Sequence, residues 1–175
     1  MSAPEFSRTV RVDTLGAEPR TLEIEADDQE RSALARRFDL VEIGRLSARA
    51  GLVHKDADVV ADGRIEAAVT QRCVATGEPV EAVVDEPFAL VFRPIPEPGR
   101  PDDEVELSEG ELDIVFYDGA AIDLGEAVAE TLALALDPYP RAPGAAEALK
   151  AAGVQSEEEA GPFGALAALR EKLKK

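Results

Sequence analysis

Among 175 residues there is one cysteine, Cys73, and one histidine, His54. A single thiol excludes an intramolecular disulfide, and one cysteine with one histidine cannot fill a tetrahedral zinc site without carboxylates. Aromatic residues make up 5% of the chain and are all phenylalanine or tyrosine, so the core must be built mostly of Val, Leu, Ile and Ala. No apolar run approaches the ~18 residues that a membrane-spanning helix needs. The N-terminal stretch MSAPEFSRTVRVD lacks the apolar core of a signal peptide, so a soluble, cytoplasmic protein is expected. No Gly-rich phosphate loop, Walker lysine or Gly-x-Ser-x-Gly elbow occurs.

Positive charge is scarce as well. Nineteen Lys and Arg stand against 36 Asp and Glu, a formal net charge of −17. Such a balance disfavours a protein that grips nucleic acid or an anionic membrane with its whole surface. DNA and membranes are therefore not expected partners. The deficit is uneven, however. Between Arg31 and Lys55 the cations Arg31, Arg36, Arg37, Arg45, Arg49 and Lys55 face only Asp39 and Glu42, whereas from Glu97 to Glu130 twelve acids face Arg100 alone. The basic stretch is either a compact patch able to neutralise a few phosphates or a solvated face balanced by nearby acids.

What is present is mostly alternation. The runs near 8–13 and 20–25 place Val10 with Val12, and Leu22 with Ile24, on single faces across a Gly- and Pro-containing turn, the pattern of a β-hairpin. The stretch DDQERSALARRFDL reads as a short basic helix capped by Asp27 or Asp28, with Leu34 and Phe38 on its apolar side. Runs near 41–53, 59–73 and 80–92 describe an antiparallel meander, the last crossed by Pro87. Residues 94–110 form an acidic, proline-rich loop, and 111–116 a short strand. In AIDLGEAVAETLALALDPYP, Asp123 offers an N-cap, Glu126 completes a capping box and Pro138 stops a helix striped by Leu124, Val128, Leu132 and Leu136 and widened by Leu134. An Ala- and Glu-rich tail of low structural commitment follows, ending in a short helix striped by Phe163, Leu166, Leu169 and Leu173.

The expected fold is α+β. One domain over residues 1–143 carries a single antiparallel sheet, strongly curved or barrel-like because long strands twist, and the amphipathic helix from Asp123 covers it. Residues 144–175 form the tail. No catalytic residue, cofactor site or metal site is assigned, and an enzyme is not expected. Cys73 has only His54 as a candidate base and no third group to orient it, so a small buried or edge thiol is the better reading. Asp102, Asp103, Glu104 and Glu106 lack the spaced loop of a calcium site. Arg72, beside the turn after Cys73, joins the basic stretch as a candidate phosphate contact.

The layout resembles the YceD family, also called the large ribosomal RNA subunit accumulation family. The resemblance rests on the strand from Gly63 to the Arg72-Cys73 pair, the Leu-rich helix between Asp123 and Pro140, and the terminal Pro162-Phe163. It implies a bacterial cytoplasmic factor needed for normal accumulation of large-subunit rRNA, acting in its processing or in early subunit assembly. Implied partners are large-subunit rRNA or its precursor, or a large-subunit ribosomal protein. Arg31, Arg36, Arg37, Arg45, Arg49, Lys55 and Arg72 are then the candidate rRNA contacts. The alternative is an acidic chaperone-like module that shields a basic ribosomal protein without touching RNA. Many members carry Cys-x-Arg-Cys and a second cysteine pair after the helix. Here Thr70, Gln71, Arg72 and Cys73 occupy the first set and PYPRAPGA the second, so one potential ligand remains.

Overall fold

A computed structural model describes residues 4–95 and 113–154. Most of the acidic loop, the expected terminal helix and the last part of the tail lie outside the described residues. In chain order the elements are β1 (Thr9–Arg11), β2 (Arg20–Glu25), α1 (Asp28–Arg37), β3 (Glu42–Lys55), β4 (Asp58–Arg72), β5 (Pro79–Pro94), β6 (Asp113–Tyr117), β7 (Ala121–Asp123), α2 (Leu124–Ala135) and α3 (Ala145–Ala151). They divide into two compact units. Among the described residues the larger comprises 4–71, 81–95 and 113–137, and the smaller 72–80 and 138–154.

The larger unit is built on an open five-stranded sheet in the order β2-β3-β4-β5-β6. β2 and β3 are antiparallel, as are β3 and β4, which meet at a tight turn where Lys55 faces Asp58. Alternation explains the burial: Leu46, Ala48, Ala50 and Leu52 of β3 face inward with Val59, Ala61, Ile65, Ala67 and Val69 of β4. A register shift between Ile43 and Arg45 lets Ile43 also point inward, since one extra residue reverses the phase of the strand. Ion pairs from Arg64 to Asp85 and from Asp58 to Arg93 run in opposite senses along β4 and β5, which makes that pair antiparallel too. Pro87 does not interrupt β5. Among the described residues β6 pairs with β5 only at Leu90–Pro94, so Pro87, which has no N–H to donate, lies where that side of the strand is open.

Three expectations are corrected here. The sheet is not a closed barrel, and β6 runs parallel to β5 rather than antiparallel. The N-terminal hairpin does not form. β1 pairs instead with β7 in a separate two-stranded sheet, Val10 opposite Ile122, while β2 pairs with β3. The reason lies in the N-terminal strap just before β1. Asp123 accepts hydrogen bonds from the Arg8 N–H at 2.8 Å and from the Ser7 hydroxyl, and the Leu124 N–H donates to the Arg8 carbonyl. The strap crosses the start of α2 at Gly125, where a Cβ atom would stand 2.5 Å from the Phe6 carbonyl oxygen.

The helices follow their caps. Asp27 accepts from the N–H groups of Gln29 and Glu30, and Glu30 reaches back to the Asp27 N–H, a complete capping box that starts α1 against β3. Arg8 forks onto the Glu30 carboxylate and donates to the Glu25 carbonyl, with its guanidinium 4.6 Å from the Phe6 ring centre. The hydrogen bond from Arg8 holds the Glu30 carboxyl below its ordinary pKa, against the opposing effect of partial burial. Asp123 caps α2 as expected, through the N–H groups of Gly125 and Glu126. Glu126 does not return the bond, because its carboxylate is held by Arg37. Leu124, Ala127, Val128, Ala129 and Leu132 enter the core, whereas Leu134 is exposed rather than part of the stripe.

In the smaller unit, the Cys73 N–H donates to the Glu78 carbonyl and the Gly77 N–H to the Cys73 carbonyl, closing a turn in which Gly77 takes a φ of 75°. Cys73 packs with Ala142 and Ala145, and with Ala75 and Val80 at their edge. The Ala-rich stretch read as uncommitted tail begins with α3, whose Ala145 is buried.

Candidate nucleic-acid interface

The seven cations singled out in the sequence do not share one surroundings. Arg45 and Arg49 project from the outer face of β3 into a row of opposite charges. Glu23, Arg49 and Arg64 lie opposite one another across β2, β3 and β4, and Asp85 closes the row by pairing with Arg64. Arg49 meets Glu23 at 3.5 Å, and Arg45 meets Glu66 at 2.9 Å. This face lines a shallow depression shared with Glu25 and Ser47.

On α1 the guanidiniums part company. Arg31 donates to the Ala26 carbonyl at 2.6 Å and pairs with Asp28. Arg37 forks onto Glu126, at 2.7 and 3.0 Å, and reaches Glu5 at 3.1 Å. These carboxylates, Glu126 above all, raise the Arg37 pKa further above its ordinary value, so the side chain ties α1 to α2 as a permanent cation. Arg36 is exposed and lines a second depression with Arg31, Val41 and Glu42.

Three of the seven, Arg36, Lys55 and Arg72, are exposed and have no ion-pair partner among the described residues. Lys55 gains no partner across its turn, because the carboxylate of Asp58 is held by Arg93 at 2.7 Å. Arg72 belongs to the smaller unit, as does Arg141, another exposed arginine without an ion-pair partner among the described residues. Sequence reasoning passed over Arg141 because it follows the Leu-rich helix, far from the basic stretch. The one available signal was an arginine between two prolines with no acid beside it.

His54 and Cys73 are not neighbours. His54 faces Val59 at the start of β4, while Cys73 follows the last residue of that strand, so the length of β4 lies between them. Among the described residues no three His, Cys, Asp or Glu side chains gather as a metal site. The Cys73 thiol is buried but not inert in its hydrogen bonding. The backbone N–H of Ala142 first, then the Thr76 side chain and the N–H groups of Ala75 and Thr76, favour the thiolate over the opposing effect of burial and lower its pKa to about 7. Titration of the thiolate absorbance should therefore show a midpoint near 7, against about 8.5 in the unfolded chain. A lowered acid pKa stabilises the fold above the unfolded value, and that gain is lost as pH falls through the folded one. Between these two values the melting temperature of the natural chain should rise relative to Cys73→Ala. Parallel curves for the two proteins would refute the assignment.

A family model described as large ribosomal RNA subunit accumulation protein YceD matches residues 61–170, more than half of the chain. The chain belongs to the YceD family. The match runs from near the start of β4 through β5, β6, β7, α2 and α3, and so contains Arg72, Cys73 and Arg141, while β1 to β3 and α1 precede it. No curated protein and no solved structure matches. Within this YceD-family chain, Arg72 and Arg141, exposed and without an ion-pair partner among the described residues, lie inside the matched region, whereas the paired cations of α1 and β3 precede it.

Proposed function

We propose that this YceD-family protein supports the accumulation of large-subunit rRNA as a non-catalytic, cytoplasmic binding factor of the assembling large subunit. It contacts rRNA or its precursor, or a large-subunit ribosomal protein. The family match over residues 61–170 carries the reading. The charge arrangement supports a local contact over a broad one. Arg31, Arg37, Arg45 and Arg49 are already neutralised by Asp28, Glu126, Glu66 and Glu23, and the chain as a whole carries −17. Counterion release at a few phosphates therefore sets the affinity, which should be modest and salt sensitive.

The same net charge favours a second reading, in which the acidic surface steers and shields a basic ribosomal protein before it joins the particle. Crosslinking in cells with separate readout of RNA and protein adducts decides between them. Adducts to large-subunit rRNA are the expected result. Adducts confined to a basic ribosomal protein would establish the chaperone reading instead, and the absence of both would refute the proposal. Incubation with precursor rRNA and magnesium should yield no cleavage, and specific cleavage would contradict a non-catalytic role.

A further inference from the structure

The smaller unit inverts the charge of the chain around it. Its described residues carry Arg72, Arg141 and Lys150 against Glu78 and Glu147, a net positive count within a protein of −17. The turn that follows Cys73 and the bent segment 138–142 meet there, joined by a hydrogen bond of 2.9 Å from the Val74 N–H to the Pro140 carbonyl. Cys73 and Ala142 turn inward to the same apolar cluster, and Pro140 is buried. Arg72 and Val74 on one segment, and Tyr139 and Arg141 on the other, are exposed, Val74 by 55% and Tyr139 by 70%.

Two guanidiniums without an ion-pair partner among the described residues, near an exposed phenol ring and an apolar side chain, form a chemical combination suited to unpaired nucleotides. Phosphates take the cations, and a splayed base stacks on the ring. A duplex fits less well, since its recognition spreads phosphate and 2′-hydroxyl contacts over about 16 base pairs. An acidic peptide would satisfy the arginines but leave the ring without a stacking partner. We propose that this face of the smaller unit binds a short single-stranded segment of RNA, Arg72 and Arg141 holding phosphates and Tyr139 stacking on a base. The proposal rests on the assembly-factor reading and specifies where and how RNA is touched.

The test uses the full chain and a fluorescent single-stranded RNA of mixed sequence, about 10 nucleotides long, followed by anisotropy across a salt series. Binding should weaken with salt at a slope of about 0.7 per phosphate held. Arg72→Gln or Arg141→Gln should each reduce that slope by about this amount. The double variant should bind at least tenfold more weakly. Tyr139→Ala should weaken binding with the slope unchanged, and Arg36→Glu on α1 should change nothing. Melting curves matching the natural chain will show that the exposed substitutions leave the fold intact. Equal binding by the natural chain and the double Gln variant would overturn the proposal, as would a duplex or polyglutamate competing as well as the single strand. Failure here leaves the assembly role standing if cells lacking the protein still lose large-subunit rRNA. Success here with normal rRNA levels in those cells would sink the assembly role alone.

Discussion

Gly125→Val should detach the N-terminal strap and cost about 3–5 kcal/mol, the scale of removing a buried phenylalanine from a core. A Cβ atom at this position would lie 2.5 Å from the carbonyl oxygen of Phe6 and 2.8 Å from the backbone nitrogen of Arg8. Both obstacles are main chain and cannot swing aside as a flexible side chain does. Relief requires the strap to leave α2. With it go the fully buried Phe6 ring, the hydrogen bonds to Asp123 and the fork from Arg8 to Glu30. Urea unfolding should show a lower midpoint with an unchanged slope if the strap is displaced only on unfolding, and a smaller slope if it is already loose in the native state. A variant as stable as the natural protein would show that the strap does not cross the helix at Gly125.

Phe92→Ala should also cost about 3–5 kcal/mol, whereas Phe116→Ala should stay within about 0.5 kcal/mol of the natural protein. The two residues lie on neighbouring strands, yet Phe92 is 1% exposed and Phe116 54%. Burial, not residue type, sets the difference, because the lost transfer energy and the cavity left behind both scale with what the ring touches. Comparable losses from both substitutions would mean that the inward face of β5 has been assigned to the wrong side.

These two sites also show how far the sequence could be read. The inward face of β5 was legible, since Val84, Leu90 and Phe92 fall in one alternating phase, although Val91 on the other phase is buried as well. The same logic exposed β3 and β4, and local cap chemistry located Asp27 and Asp123. Gly125 was opaque. Its meaning comes from a strap more than a hundred residues earlier in the chain, and neither periodicity nor propensity reports such a contact. The pairing of β1 with β7 and the parallel direction of β6 were hidden for the same reason: short strands carry too few side chains to declare a partner.

The candidate interface divides along the same line. That Arg45, Arg49 and Arg37 are cations was evident, but their neutralisation depends on Glu66, Glu23 and Glu126, which reach them across strands or from another helix. Arg72 was recognised beside its turn. Arg141 was not, because its segment reaches the same place through contacts distant in sequence, the backbone bond between Val74 and Pro140 and the packing of Cys73 with Ala142.

The assembly role is tested most directly by the ratio of large-subunit to small-subunit rRNA in cells lacking the protein. The ratio should fall, and the natural chain and Cys73→Ala should both restore it, since no step assigned to the protein uses the thiol. An unchanged ratio in the deletion strain would contradict the account.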